Sequence, residues 1–297
     1  MCGQNKEEIV IGTVIKIVGS IYSVLDNGVI QTCSVRTSAK KVRIVVGDIV
    51  EIVPNEYDTG KYIITKVMDR RNSIPRPPLA NIDKLLILVA PRPEPDLLLV
   101  DKLVIYAMIN QIEPIIVINK CDIADKDFVN NISSQYYFLK TCVVSATSNK
   151  GVAQLKDYIS GSLSAVCGQS AVGKSSLLNS IIPGVNLETQ GLSRKTDRGK
   201  HTTRVNELYI SGDIMLADTP GFSSLELNIE HEELASFYPE FEGLEDKCTY
   251  LDCAHVKEGK DCAIIRAVNA GGINKNRYER YCEMYTKLKQ LWEKKYD

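Results

Sequence analysis

The stretch Gly168-Gln-Ser-Ala-Val-Gly-Lys-Ser-Ser176 decides the fold, because it has the form G-x-x-x-x-G-K-S. An apolar run at 163–167 reads as a strand before it, and 177–182 read as a helix after it. That context favours a phosphate-binding loop over a glycine-rich turn that merely starts a helix. The residues expected to contact phosphate are Gly168, Gln169, Ser170, Ala171, Val172, Gly173, Lys174, Ser175 and Ser176. The sequence therefore predicts a nucleoside triphosphate site in an α/β domain.

Each part of this loop has a physical task. Glycine at 168 and 173 lets the backbone approach a phosphate closely, and the amides and the helix N-terminus favour its negative charge. Lys174 is expected to add a positive charge at the terminal phosphates. The Ser175 hydroxyl is expected to be a ligand of a phosphate-bound Mg²⁺.

A second motif identifies the base. Asn119-Lys-Cys-Asp122 directly follows the apolar strand 115–118. The Asp122 carboxylate can accept from guanine N1–H and the 2-amino group together, a pair that adenine does not offer. Asn119 is expected to bond guanine N7, the stem of Lys120 to lie over the ring, and an amide at Ser145-Ala146 to meet guanine O6. These features predict GTP rather than ATP.

Two later motifs resemble the segments that respond to the γ-phosphate. In Asp218-Thr-Pro-Gly221, Asp218 would hold Mg²⁺ through water and the Gly221 amide would contact the γ-phosphate. In Gly199-Lys-His-Thr-Thr-Arg204, Thr203 is the expected Mg²⁺ ligand, with Thr202 as the alternative.

The order of these motifs is unusual. Residues 119–122 and 145–146 precede the phosphate loop, whereas an ordinary Ras-like GTPase has the phosphate loop first. The domain is therefore predicted to be circularly permuted, so that its switch motif at 218–221 leads directly into the C-terminal region. Nucleotide state would then be able to reposition that region.

The N-terminal region is predicted to be a small β-barrel, best matched by the OB-fold. Five strand-like runs are separated by turn signals such as Asp26-Asn-Gly28: 10–18, 21–25, 29–35, 49–53 and 62–67. Ser73-Ile-Pro-Arg-Pro-Pro78 is not expected to continue a strand and marks the end of the barrel. The basic residues of this region either contact RNA or are simply solvated: Lys40, Lys41, Arg43, Arg70 and Arg71.

A metal site is predicted near the C-terminus. Cys248, Cys253, His255 and Cys262 offer three thiolates and an imidazole within a short span. Four such ligands suit tetrahedral Zn²⁺ and leave no open position for water, so the site should be structural. The tyrosine- and lysine-rich residues 266–296 either contact RNA or pack their tyrosines on this module.

Composition bounds the remaining possibilities. The 297 residues carry a formal net charge of −1, so no overall basic field argues for nucleic acid. Because the sequence shows neither a membrane-length apolar run nor a signal-peptide core, we expect a cytoplasmic protein without membrane association. We also expect a monomer. In that reducing compartment Cys33, Cys121, Cys142 and Cys167 are expected to be small buried apolar residues.

Taken together, the motifs resemble one family over nearly the whole chain. Gly-Gln-Ser-x-Val-Gly-Lys-Ser-Ser, Gly-x-His-Thr-Thr, Asp-Thr-Pro-Gly-Phe and Cys-x4-Cys-x-His, in this order, are similar to the RsgA (YjeQ or YloQ) family of circularly permuted bacterial GTPases. The resemblance implies GTP hydrolysis to GDP and phosphate, stimulated by the small ribosomal subunit late in its maturation. It also implies that the barrel and the zinc domain contact ribosomal RNA.

The resemblance extends to one catalytic candidate. Phe222 follows Asp-Thr-Pro-Gly, where Ras-type enzymes have a water-orienting glutamine, so intrinsic turnover should be slow. His201 is the residue that the family implies for orienting water once the ribosome orders its loop. Two positions depart from the family pattern. Ala171 replaces a common glycine and is expected to be tolerated if that position keeps a negative φ, and the spacing from His255 to Cys262 is one residue longer.

These observations predict three domains: an OB barrel at 1–72, the permuted GTPase domain at 73–228 and a zinc-binding, mainly helical domain at 229–297. One alternative is an RNA-binding assembly scaffold whose GTP site only stabilises the fold. Another, a GTPase of large-subunit assembly or membrane trafficking, is disfavoured by the barrel and zinc flanks. Stimulation of turnover by ribosomal subunits separates the enzyme from the scaffold.

Overall fold

The structure is a computed structural model that describes residues 9–36, 42–185, 207–219, 225–256 and 261–296. Its first part is a closed barrel in the strand order β1-β2-β3-β5-β4. The strands are β1 (Val10–Val18), β2 (Ile21–Asp26), β3 (Val29–Val35), β4 (Ile49–Pro54) and β5 (Tyr62–Val67). All five predicted strands are present within a residue of their expected ends. The expected OB-like barrel is therefore confirmed.

The segment after the barrel differs from expectation. Residues 73–78 were expected to stay outside any strand, but β6 (Ser73–Pro75) and β7 (Pro78–Ala80) form a two-stranded antiparallel ribbon. Proline is tolerated there because Pro75 and Pro78 face each other at the turn end of an isolated ribbon, where no further ladder bond is needed. The ribbon packs on the barrel, since the Ala80 amide donates to the Val46 carbonyl at 3.0 Å.

The central domain contains a six-stranded sheet in the order β10-β9-β8-β11-β13-β12. All its strand pairs are parallel except β12 with β13. Its elements in chain order are β8 (Lys84–Val89), α1 (Leu97–Ile109), β9 (Glu113–Ile118), α2 (Lys126–Gln135), β10 (Lys140–Val143), α3 (Val152–Ile159), β11 (Leu163–Gly168), α4 (Lys174–Ile181), β12 (Tyr209–Ser211) and β13 (Ile214–Asp218).

This sheet is buried on both faces, as its continuous apolar runs predict. Along β8, Leu85, Ile87 and Val89 belong to the core under α1, whereas Leu86 and Leu88 belong to the core under α4. The first of these cores continues into the barrel side through Ile15, Val46, Ile74 and Leu79. Barrel and sheet are thus packed against each other through apolar side chains.

The C-terminal part is mainly helical. It consists of three short 3-10 helices, His231–Phe237, Pro239–Phe241 and Glu245–Lys247, followed by α5 (Ala263–Asn269) and α6 (Lys275–Tyr296). A positive φ of 77° at Gly271 separates α5 from α6. Its core includes Ile105 of α1, so this part packs directly on the central domain. Within the ranges described, no helix combines the length and apolar character needed to cross a membrane.

Several arginines and tyrosines have structural roles. Arg70 bonds both oxygens of Asp48, whose side chain is fully buried, and Arg71 pairs with Asp83 at 2.7 Å. Arg70 is therefore engaged with a buried partner, whereas the Arg71 ion pair lies at the surface. Lys40 and Lys41 lie outside the described residues. On α6 the buried Tyr281 packs into the C-terminal core, as the packing alternative predicts.

Two of the four cysteines that were expected to be buried are fully buried. Cys33 and Cys167 are buried, and Cys121 and Cys142 are half-buried. Burial raises the pKa of the Cys33 thiol to about 12 and also raises that of Cys167. These thiols are therefore neutral apolar side chains near neutral pH.

Candidate nucleotide site and metal centre

The nucleotide motifs converge at one edge of the central sheet. The parallel strands β9, β10, β11 and β13 end there, and their registers align Val89 with Ile118 and Val166 with Asp218. In open α/β sheets this carboxyl edge is the place where ligands bind. The structure brings together the base-reading, phosphate and Asp218 segments, which are up to about a hundred residues apart in sequence.

Asn119 holds three of these loops in one arrangement. Its side chain is almost fully buried, with the residue 1% exposed. Its Nδ2 donates to the Val172 carbonyl at 3.0 Å, and its Oδ1 accepts from the Ala146 amide at 3.2 Å. The sequence assigned an amide of 145–146 to guanine O6 and Asn119 to guanine N7. It did not predict the hydrogen bond between Asn119 and the Ala146 amide. Those assignments stay predictions.

The phosphate loop has the backbone that its glycines predict. Gly168 has a φ of 134°, and a Cβ there would lie 2.5 Å from the Leu88 carbonyl oxygen. Gly173 has a φ of 96°, and a Cβ there would lie 2.5 Å from Asn119 Nδ2. Helix α4 begins at Lys174, directly after the loop, so its free amides and its dipole point towards the loop.

Ala171 does not keep the negative φ under which alanine would be tolerated there. Its φ is 64°, in the left-handed region that disfavours residues with a Cβ. The loop turns tightly enough that the Ala171 carbonyl accepts from Lys120 Nζ at 2.8 Å. The bend therefore follows the loop's tertiary contacts and not the preference of alanine.

Lys120 spans the entrance of the base site. Besides Ala171, its Nζ donates to the Arg92 carbonyl at 2.9 Å, so its stem crosses the gap between two loops. The predicted contact of this stem with a guanine ring stays a prediction. Beside it, Asp122 is exposed, and hydrogen bonding from Ser145 lowers the pKa of its carboxyl group. Asp122 is thus an ionised acceptor at neutral pH.

Lys174 and Asp218, the charged residues beside the phosphate loop, are partly removed from water. Lys174 Nζ donates to the carbonyls of Gly168 at 2.9 Å and Gln169 at 2.8 Å. Burial lowers the pKa of Lys174, while the nearby Asp218 opposes that shift. Burial likewise raises the pKa of Asp218, and Lys174 opposes it. Ser175 and Ser176 lie half-buried in the first turn of α4, and Ser170 is exposed on the loop.

Three of the predicted residues cannot be placed. His201, Thr203 and Gly221 lie outside the described ranges, as do Thr202 and Phe222. Their assigned roles stay predictions. The preceding residue Thr219 is described, and its hydroxyl donates to the Val166 carbonyl at 2.6 Å.

The predicted metal ligands form a compact cluster. The ligand atoms of Cys248, Cys253, His255 and Cys262 all lie within 4.8 Å of one another. Cys248 Sγ is 3.8 Å from Cys262 Sγ, and His255 Nδ1 is 3.6 and 3.4 Å from those two sulfurs. A tetrahedral Zn²⁺ with its usual bond lengths would separate two sulfurs by about 3.8 Å and a sulfur from nitrogen by about 3.5 Å. The donor set therefore fits zinc.

Electrostatics agrees with that fit. Burial raises the pKa of the Cys262 thiol to about 12, so a divalent cation is what would keep buried thiolates charged. Burial lowers the pKa of His255, which favours the neutral imidazole that binds metals. The longer spacing before Cys262 does not remove it from the cluster.

Sequence reasoning missed a buried ionic junction between α1 and α6. Asp101 is the one acidic side chain of the apolar helix α1, and it is 1% exposed. Arg277 and Arg280 reach its two oxygens at 2.6 and 2.5 Å. An aspartate within a mostly apolar helical run is the sequence signal that could have identified a buried pairing partner.

Comparisons with known proteins agree with this geometry. The RsgA GTPase family model matches residues 67–228. A small ribosomal subunit biogenesis GTPase RsgA from Caldanaerobacter subterraneus subsp. tengcongensis is 37% identical over 94% of this chain and 96% of its own. One of the same name from Moorella thermoacetica is 41% identical over 91% of this chain and 94% of its own.

Two solved structures have the same architecture. YjeQ from Thermotoga maritima superposes with a TM-score of 0.81 at 34% identity, covering 94% of this chain and 98% of its own. YloQ, described as a circularly permuted GTPase, superposes with a TM-score of 0.80 at 26% identity, covering 97% and 98%. The expected permuted architecture, with its barrel and C-terminal cluster, is confirmed.

Proposed function

This chain belongs to the RsgA GTPase family, and on that premise we propose that it hydrolyses GTP to GDP and phosphate during late maturation of the small ribosomal subunit. One observation carries this function: Asn119 joins the base-reading, Ser145-Ala146 and phosphate loops at the carboxyl edge of the sheet. Relatives that this chain matches over nearly its full length are named for small-subunit biogenesis, which supports that subunit as the partner.

Guanine recognition rests on the exposed, ionised Asp122. Its carboxylate would accept from guanine N1–H and the 2-amino group, while Lys120 lies across the ring. An adenine base would leave this carboxylate opposite an acceptor. The nucleotide is therefore expected to be GTP or GDP.

The phosphate loop would supply most of the charge stabilisation. Its backbone amides and the N-terminus of α4 would surround the phosphates, and Lys174 would exchange its carbonyl partners for phosphate oxygens. Mg²⁺, when bound, neutralises charge on the β- and γ-phosphates. Ser175, Asp218 and Thr203 would hold that ion, Asp218 through water, and the Gly221 amide would contact the γ-phosphate. His201 would orient the attacking water.

The cysteine cluster is proposed to hold one structural Zn²⁺. Cys248, Cys253, His255 and Cys262 would complete a tetrahedral shell, leaving no position for a catalytic water. Its role is to fix the short C-terminal domain, which presents a ribosomal RNA contact together with the barrel. Cytoplasmic location and a monomeric state remain predictions.

The decisive experiment is GTP hydrolysis measured with purified small ribosomal subunits, and with large subunits as the control. Strong acceleration by small subunits alone is expected. Lys174→Ala should abolish that acceleration, whereas Lys126→Ala, the same change at an exposed residue at the start of α2, should not. Urea denaturation midpoints equal to that of the wild type in both variants would verify that the α/β domain is folded.

Other outcomes would identify another function. Tight GTP-dependent binding to small subunits without faster turnover would favour the RNA-binding scaffold. Stimulation by large subunits instead would reassign the partner. Neither binding nor stimulation would refute a ribosomal partner while leaving the nucleotide assignment intact.

A further inference from the structure

Helix α6 contacts the cysteine cluster through two tyrosine hydroxyls. Tyr278 donates to the His255 carbonyl at 2.7 Å, and Tyr281 donates to the Ala254 carbonyl at 2.9 Å. The two accepting carbonyls belong to the peptide bonds directly before and directly after His255. The two phenols therefore fix the main chain at the one histidine of the cluster.

The backbone at His255 is held in an unusual conformation. Its φ is 59°, in the left-handed region that a side chain with a Cβ avoids. This conformation directs Nδ1 to within 3.6 Å of both Cys248 Sγ and Cys262 Sγ. A residue keeps such a backbone only when its surroundings determine it, and the phenol bonds to 254 and 255 are part of those surroundings.

The neighbouring positions of α6 bind the central domain. Arg277 directly precedes Tyr278, and Arg280 directly precedes Tyr281. The guanidinium groups of the two arginines contact Asp101 of α1 at 2.6 and 2.5 Å. The Asp101 and Arg277 side chains are 0% and 2% exposed, so this ionic contact is shielded from water. Tyr136 also donates to Asp101 Oδ1 at 2.6 Å. One helix thus carries both sets of contacts within the five residues 277–281.

The contacts of α1 continue to the phosphate loop. At its N-terminus the Asp96 side chain accepts from the Leu99 amide at 2.9 Å, which caps the helix. The Asp96 amide donates to Gln169 Oε1 of the phosphate loop at 3.1 Å. Helix α1 is therefore bonded to the phosphate loop at its start and to α6 in its second turn.

We propose that α6 positions the zinc ligand His255 through Tyr278 and Tyr281, and that Arg277 and Arg280 link occupancy of this metal site to the docking of the C-terminal domain on Asp101. This inference rests on the zinc assignment made above. Tyr278 and Tyr281 are positioning residues, since the bonds of their hydroxyls described above go to backbone carbonyls. Because linkage is reciprocal, weakening the contact with Asp101 weakens metal binding, and metal binding strengthens that contact.

The first test measures zinc affinity by competition with a chromophoric chelator, using the full chain. Tyr278→Phe and Tyr281→Phe remove only the hydroxyl groups and keep the rings. Loss of an outer-shell partner of a metal ligand typically weakens binding tenfold or more, so about a tenfold loss is expected for each variant. Tyr285→Phe is the matched control, because it makes the same change one turn along α6 and should leave the affinity unchanged.

The second test addresses the link to the central domain. Asp101→Asn should lower zinc affinity although residue 101 lies outside the metal cluster. Asp48→Asn is its control, since Asp48 is also buried and paired with an arginine, but in the barrel. GDP affinity, measured on every variant, reports whether the central domain is folded.

The outcomes separate the two parts of the inference. Wild-type zinc affinity in both tyrosine variants would overturn the positioning role. Wild-type affinity in Asp101→Asn would overturn the link to the central domain. If the wild-type chain bound no zinc, the metal assignment itself would fail, and this result is distinct from the other two.

Discussion

Replacing Asn119 with alanine is expected to weaken GDP binding by about thirtyfold. The two bonds of its buried side chain, to the Val172 carbonyl and from the Ala146 amide, hold three loops together. Each such bond contributes about 1 kcal/mol net, so their loss costs about 2 kcal/mol. The nucleotide would have to supply that free energy to restore the loops, and about 1.4 kcal/mol corresponds to a tenfold change in Kd. Any direct bond from Asn119 to guanine would add to this loss.

The assay is isothermal titration calorimetry with GDP and Mg²⁺. Asn110→Ala is the matched control, because Asn110 Nδ2 also donates to a backbone carbonyl, that of Tyr106 at 2.8 Å, but at the far end of α1. Its GDP affinity should equal that of the wild type. A Kd for Asn119→Ala within twofold of the wild-type value would refute the idea that this side chain assembles the site.

Three further changes test other parts of the structure. Asp122→Asn places an amide donor where guanine needs an acceptor, so it should lower the affinity for GDP. It should raise the affinity for xanthosine diphosphate, because the C2 carbonyl of xanthine accepts from that donor. An unchanged preference between the two nucleotides in a competition assay would contradict base reading by Asp122. Ala171→Val should lower the free energy of unfolding by about 1–3 kcal/mol in urea denaturation, because valine at a φ of 64° is strained, whereas Ala171→Gly should not lower it. Arg70→Ala should lower the free energy of unfolding by about 3–5 kcal/mol in the same measurement, because it leaves the buried Asp48 carboxylate without its ion-pair partner. Arg71→Ala removes an exposed ion pair and should lower it by about 1 kcal/mol or less. Equal losses would show that burial does not set the cost.

Much of the fold could be predicted because its signals are local. Buried parallel strands show as continuous apolar runs, as in β8 and β9, and barrel strands alternate between turn residues. The start of helix α1 at Leu97 is harder to predict from sequence. It is set by the Asp96 cap, whose signal is weak beside the prolines that precede it.

The candidate site likewise has parts that the sequence predicts and parts that it does not. The phosphate loop and the cysteine cluster were predictable because the chemistry needs certain residue types at short spacing. The positive φ of Ala171 was not, because the Lys120 contact that accompanies it comes from a residue fifty positions away. The roles of Arg70 and Tyr278 stayed open for the same reason, since a basic or aromatic side chain looks alike in sequence whether it binds RNA or the protein's own interior.

By itself, the sequence determined the nucleotide motifs, their permuted order, the barrel strands and the four candidate metal ligands. Only the tertiary structure decided the long-range contacts. Asn119 bonds two loops, Asp101 pairs with Arg277, and Tyr278 bonds the backbone of His255. The physical reason is range. Motif and periodicity are properties of neighbouring residues, whereas a buried hydrogen bond or ion pair exists only once chain folding removes both partners from water.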